Sequence, residues 1–419
     1  MMNSRLAFVA IGLAVNLLVL ARGVVLMLAL DYADLGLVAL VQSAIVFSGL
    51  LHFGLLNGGY RLLCHAGPRY KQRIIDLAYT GFALIGAGVM LAAIVVAVTL
   101  DDATYRLVAG LTAAGGLATL LRSWMTNEMV AAARLKAANL INAASILASL
   151  AVLVLLIPGA SSFDPTLVAV VAIVIQPVLF AALALISGAV LRPGGLRFSK
   201  RLGGVIFRAG FILFLTGIAV QFVNFFERTF VSANLGIDQL GRLYLAFLFV
   251  NLFQMPLNIV QQSAMPVIIQ YYRKHNASSL RIEIRNIYLQ IALYCVATAA
   301  ALTWLAPTFV NAIAPDFSRD LRWVYFMAPG LMVYAMSTPS SLMMHVVINY
   351  RWYLAAHISA VSIAVLILGT IWLADCSIGL DEVIVLRSIS YALMGAIIAY
   401  GWRTLSAEKA VRGGKTDSS

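Results

Sequence analysis

Twelve times along this chain, an apolar run long enough to cross a bilayer is closed by a short polar turn. No other feature restricts the fold so much. The runs cover 6–30, 36–58, 74–99, 105–126, 137–157, 167–191, 206–231, 241–269, 286–306, 323–345, 353–374 and 383–402. A transmembrane helix needs roughly 20 mostly apolar residues, whereas a barrel strand needs about ten in strict alternation. These runs are long and apolar all round, so the pattern predicts an all-α integral membrane protein of about 12 helices. Composition agrees. Of 419 residues, 62% are hydrophobic and 11% charged, which is too little polar surface to cover a water-soluble globule. The first run reads as a span rather than a cleavable leader. It is too long for an h-region, Asn16 and Arg22 interrupt it, and no small-x-small site follows.

The net charge of +12 raises nucleic acid as a partner, but its distribution argues against one. Numbering the turns alternately, most of the 29 basic residues fall on one face. The other face carries only Arg106, Arg242, Arg319, Arg322 and Arg387, with Arg22 and Arg228 inside spans. Excess Lys and Arg marks the cytoplasmic side, so both termini are expected there, in the cell inner (cytoplasmic) membrane. The loops are short. None offers an ATP-binding domain, a phosphate-cradling glycine loop, or the large outer loop that a membrane glycosyltransferase or polymerase would need. Cys64, Cys295 and Cys376 are too scattered to predict a disulfide framework or a metal site, and no cofactor is expected. The polar tail "EKAVRGGKTDSS" is expected to be disordered.

The two halves of the chain repeat a pattern. "LARGVVLMLALDYADLGLVAL", from Leu20, and "FERTFVSANLGIDQLGRLYLAF", from Phe226, each set an intramembrane arginine before a short acidic turn, then open the next span with "LG". Arg22 aligns with Arg228, and Leu35-Gly36 with Leu240-Gly241 after a one-residue slip. The organisation expected is an N-terminal six-helix lobe over 1–191, a basic cytoplasmic linker over 192–205, a C-terminal six-helix lobe over 206–402 and a polar tail over 403–419. Parallel repeats of this kind are related by a pseudo-two-fold axis along the membrane normal.

The stretch "DYADLGLVALVQSAIVFSGLLHFGLLNGGYRLL" resembles the first hairpin of polysaccharide-biosynthesis membrane proteins. "FERTFVSANLGIDQLGRLYLAF" resembles their seventh-span signature, an acidic-Arg pair followed by "LG" and "GxYxxA". These proteins are the lipid-linked oligosaccharide flippases of the multidrug/oligosaccharidyl-lipid/polysaccharide exporter superfamily. The resemblance extends over the whole length in span number and halves. It implies two pseudo-symmetric six-helix lobes around a central cavity that opens alternately to each side. One departure is Phe226, where family members often carry a small aliphatic residue.

Charged side chains at mid-bilayer cost roughly 2.5–3.5 kcal/mol each on insertion scales, so they face a cavity or a partner. The resemblance places Arg22, Glu227 and Arg228 on the central cavity. The alternative is a structural ion pair that locks the spans. Adjacent helical residues point about 100° apart, so Glu227 is expected to reach Arg22 rather than Arg228. That would leave Arg228 for a diphosphate. Asn251, Gln254, Asn258 and Gln261 follow steps of three and four and share one helical face; Gln221 and Asn224 extend a polar wall toward Arg228. These nine residues are the candidate substrate site. Amides suit sugar hydroxyls, and they also bond neighbouring helices. Tyr334, Thr338, Ser341 and His345 form another such face, as do Asn139, Asn142, Ser145 and Ser149. His345 reads either as an interfacial side chain or as a proton site. "GLLNG", Gly54 to Gly58, fits close helix packing.

The expected function is therefore non-enzymatic. A polysaccharide-export flippase would move a polyprenyl-diphosphate-linked oligosaccharide across the membrane by alternating access. Its partners would be that lipid-linked substrate, membrane lipids and other polysaccharide-assembly membrane proteins, and no nucleic acid. The alternatives are a cation-coupled drug or small-solute exporter of the same superfamily and, from another class, a membrane glycosyltransferase or polymerase.

Overall fold

The computed structural model describes residues 2–132, 134–156, 164–274, 276–347, 350–374 and 378–413. Cys376, named above, and the last six residues of the polar tail, 414–419, lie outside them. Among the described residues the regular elements are all helical. They are α1 (Met2–Ala29), α2 (Tyr32–Gly49), α3 (Leu55–His65), α4 (Pro68–Thr99), α5 (Ala103–Ala131), α6 (Leu135–Leu153), α7 (Pro165–Ile186), α8 (Lys200–Asn234), α9 (Ile237–Arg242), α10 (Tyr244–Arg273), α11 (Ala277–Ile313), α12 (Leu321–Met336), α13 (Thr338–Val347), α14 (Arg351–Leu373) and α15 (Leu380–Gly413). Ten stretches are long and apolar enough to cross a membrane, and Ala14–Ala29 is a shorter apolar helix. The expected run 323–345 is split between α12 and α13, which completes the twelve.

Local chemistry sets the ends of these helices. Asp31 accepts the N–H of Asp34 at 2.8 Å to open α2, and Asp164 accepts that of Leu167 at 3.1 Å to open α7. Asn276 does the same for Ser279 at the start of α11. Each such cap satisfies an N–H that has no partner inside its helix.

Four expected boundaries are corrected. The run 36–58 is broken over residues 50–54, where Phe53 and Gly54 take positive φ and His52 Nδ1 accepts the Gly54 N–H. The run 323–345 breaks at Ser337, because Pro339 has no N–H to offer Ala335 and its ring crowds that carbonyl. α5 runs on to Ala131 rather than stopping at 126. α15 is helical through Gly413 rather than ending at 402, into a tail expected to be disordered, because "SAEKAVR" consists mostly of good helix formers.

Internal contacts divide the chain into two compact units, Met1–Tyr244 and Leu245–Ser419. This division falls later than the 192–205 linker because α8 packs on α2 and α3, and α9 on α2. In the first unit, α5 packs on α2, α4 and α7. Trp124, Ile74, Phe82 and Phe180 are buried together there. Two crossings in this unit have no room for a side chain. At the α2–α9 crossing, a β-carbon on Gly36 would overlap the Ile237 carbonyl, and one on Gly241 the Tyr32 carbonyl. At the α3–α8 crossing, Gly58 lies against the Ile206 carbonyl and Gly210 against that of Gly54. "GLLNG" thus serves the close packing expected of it.

The segment between α7 and α8 is strapped to the first unit by two buried acids. Asp76 accepts the Gly194 N–H at 2.8 Å and a Gln72 side-chain N–H at 2.9 Å, and pairs with Arg197 at 3.6 Å. Glu128 accepts the Leu191 N–H at 2.5 Å. Arg134 donates to the carbonyls of Gly188 and Ala189. In the second unit, α15 packs on α12 and α14, with Gly330 against the Ser388 backbone. Met344, Ala356 and Ile398 are buried at its centre.

Candidate functional site

The polar interior of the first unit is assembled around two arginines. Arg22 lies two turns before the end of α1, and its Nη1 donates to Oε1 of Gln176 on α7 at 2.5 Å. Gln176 is itself buried and precedes Pro177. Arg122 on α5 donates through Nη2 to Oδ1 of Asn142 on α6 at 2.8 Å, and its guanidinium lies over the Phe180 ring at 5.5 Å. The two guanidinium groups are close enough for their charges to repel. Tyr244, the buried first residue of α10, lies within electrostatic reach of both Arg22 and Arg228 and hydrogen-bonds with Gln42 of α2.

The charge balance of this interior is unusual. Amide oxygens hold both Arg22 and Arg122. The ion pairs Arg197–Asp76 and Arg322–Asp381 lie elsewhere. Both arginines are half-buried. Two guanidinium groups, each bonded to a neutral amide oxygen, keep a positive charge that an anion could pair with. The guanidinium fork matches a phosphate oxygen pair better than an ammonium does.

The expected reach of Glu227 to Arg22 is not made. Arg22 spends its bond on Gln176, which is presented from α7 in the same unit, while Glu227 is buried on α8 at 4% exposure. Arg228 is not left open either: its Nη1 donates to the Ala39 carbonyl of α2 at 2.8 Å. Gln221 and Asn224 bond to each other, Asn224 Nδ2 donating at 2.8 Å. On α10, Asn251 and Asn258 are exposed, and Gln254 and Gln261 half-buried. Of the nine candidates, Arg22 belongs to the arginine cluster, and Arg228 lies within electrostatic reach of Tyr244 beside it.

Sequence reasoning missed Arg122, Gln176, Tyr244 and Gln42 as site members. The expected run 105–126 puts Arg122 one turn from its end, with the arginines of the basic face. Because α5 continues to Ala131, Arg122 is more than two turns inside the helix. Asn142 was on a polar face already noted, and its step to Arg122 crosses between helices, where periodicity carries no information. A search for arginine and amides together within apolar runs would have found Arg122, Asn142 and Gln176.

No protein-family model matches the sequence, and no curated protein matches it. Solved structures do. The chain is similar to an inward-facing multidrug resistance MATE family transporter of the MOP superfamily, at a TM-score of 0.75 and 13% identity over 97% of this chain and 99% of that one. It is also similar to the lipid II flippase MurJ in an inward closed conformation, at 0.71 and 12% identity over 95% and 87%. A MOP superfamily transporter from Pyrococcus furiosus, described as having a binding pocket of reversed polarity, matches at 0.60 and 14% over 94% and 92%. The fold is therefore that of the MOP-superfamily transporters, as the sequence resemblance implied. These relatives in fold are transporters and flippases rather than enzymes.

Proposed function

We propose that this chain is a flippase that carries a polyprenyl-diphosphate-linked oligosaccharide across the cytoplasmic membrane by alternating access. The observation that carries the reading is the pair Arg22 and Arg122, each held by a neutral amide. A diphosphate supplies the missing negative charge, and the amides and tyrosine around it suit the hydroxyls of the first sugars. The lipid tail has no need to leave the bilayer. The carrier would open alternately to each side of the membrane, with both termini cytoplasmic. Other polysaccharide-assembly membrane proteins would supply the substrate and take it on.

The test is transport of a fluorescent polyprenyl diphosphate in proteoliposomes, with protein abundance matched. Arg22→Gln and Arg122→Gln should each lower the rate about 10- to 100-fold, the loss expected for a charge-assisted hydrogen bond. Lysine at either position should restore part of it, as a point charge lacks the fork. Full activity of both glutamine variants would remove the anion from the mechanism. Transport of a cationic dye by the wild-type chain, with no movement of the diphosphate, would favour the drug-exporter alternative. A cationic site argues against that alternative.

A further inference from the structure

The basic end of the first unit holds a cavity that the arginine site does not use. It measures about 120 Å³ and lies where α3 ends, α4 begins and α5 ends, against the segment between α7 and α8. Leu63, Ile75 and Leu191 give it apolar walls, and Lys71, Glu128 and Arg134 give it three charges. Arg134 Nη1 is turned to the Gly188 and Ala189 carbonyls, and the guanidinium lies within electrostatic reach of Glu128. Glu128 is 6% exposed. Its Oε1 accepts the Leu191 N–H, but its Oε2 meets no donor among the described residues. A buried carboxylate oxygen is costly until something donates to it.

The segment that covers the cavity also turns apolar side chains outward. Leu196 and Phe198 are 72% and 71% exposed, among the exposed cations Arg192, Arg197, Lys200 and Arg201. Bare apolar side chains between cations suit the head-group layer of a membrane. There the apolar groups dip toward the acyl chains and the cations stay with the phosphates. Leu191 both lines the cavity and is exposed, so it joins the cavity to that surface.

Size and charge narrow the choice of occupant. Pockets for drug-sized ligands run to roughly 300–1,000 Å³, so this one admits only a small head group. Lys71 and Arg134 suit a phosphate. A purely anionic head group would also set its charge against Glu128, and a choline would offer Glu128 no N–H. A primary ammonium supplies both the donor and the counter-charge. We propose that this cavity binds the head group of an aminophospholipid of the phosphatidylethanolamine class, its phosphate toward Lys71 and Arg134 and its ammonium on Glu128 Oε2. The site is separate from the arginine cluster and does not depend on what the carrier moves.

Native mass spectrometry of the purified full-length chain in detergent is the test. The probes are palmitoyl-oleoyl phosphatidylethanolamine, its N-monomethyl and N,N-dimethyl forms, phosphatidylcholine, phosphatidylglycerol and soluble phosphoethanolamine. Wild type should retain one phosphatidylethanolamine at least ten times more tightly than phosphatidylcholine or phosphatidylglycerol. Affinity should fall most steeply at the last methylation, which removes the last N–H. Glu128→Gln keeps an oxygen for the Leu191 N–H and replaces the other by an amide nitrogen, so it should bind phosphatidylethanolamine no better than phosphatidylcholine. Lys71→Gln should weaken phosphatidylethanolamine severalfold. An unchanged preference in Glu128→Gln, an unchanged affinity in Lys71→Gln, or a wild-type preference for phosphatidylglycerol overturns the site. Phosphoethanolamine that binds as tightly as the lipid overturns the lipid assignment and makes the occupant a soluble one. Should Glu128→Gln aggregate on size exclusion, the methylation series on wild type decides alone, and equal retention across it overturns the proposal.

Discussion

An arginine held by an amide can be neutralised by one atom's change in its partner. Gln176 already accepts from Arg22, so Gln176→Glu would place a carboxylate in the same position. The internal ion pair should hold or raise the melting temperature in detergent. It should also weaken binding of the polyprenyl diphosphate more than tenfold, since the site would carry its own counter-charge. Gln176→Leu should do the reverse for stability, stranding the guanidinium. Thermal melts and diphosphate binding measured on both variants separate a binding arginine from a structural one. At this scale the sequence was readable where a charge stood in the middle of an apolar run, as with Arg22 and Arg228. It was unreadable where the boundary of the run was misjudged by five residues, as with Arg122. It also could not say which acceptor each arginine would meet. Glu227 looked like the natural partner on charge alone, yet Gln176 is the residue that α7 brings within 2.5 Å.

Helices and the segments between them carry a second set of consequences. The strap over residues 188–199 hangs on Asp76 and Glu128, each of which accepts a backbone N–H from it. Asp76→Ala removes the bonds to Gly194 and Gln72 together with the Arg197 pair. Trypsin should then cut at Arg192 and Arg197 at least ten times faster in inside-out membrane vesicles, while the helices stay protected. The close crossings are as testable. Gly36→Val would force a side chain into the Ile237 carbonyl, and Gly58→Val into that of Ile206, so both should lower membrane abundance severalfold by blot. Gly204→Val is the control, because no atom lies within 4 Å of its β-position. Apolar length announced the membrane-length runs, though not α9 or the breaks after α2 and α12, and spacing announced the face Tyr334–Ser341–His345. It could not announce that Tyr353 of α14 is what the face packs against, nor that Ser337 interrupts it. Such facts depend on contacts between segments far apart in the chain.

For the molecule as a whole, the charge asymmetry of the loops sets an expectation for orientation. Single cysteines at Arg201 and Asp316 should report it in intact cells. A membrane-impermeant thiol reagent should label position 316 and spare position 201, and the opposite pattern would invert the protein. The fold class was legible because apolar length is a local property, and the repeat of an arginine, an acidic turn and "LG" in each half is a property of the sequence. The crossing of α2 and α9 adds something to that repeat. Gly36 and Gly241 are the same position in the two halves, and a β-carbon on Gly36 would crowd the backbone of Gly241 itself. Each glycine therefore constrains the other, because a side chain at either position would meet the backbone of the other's helix.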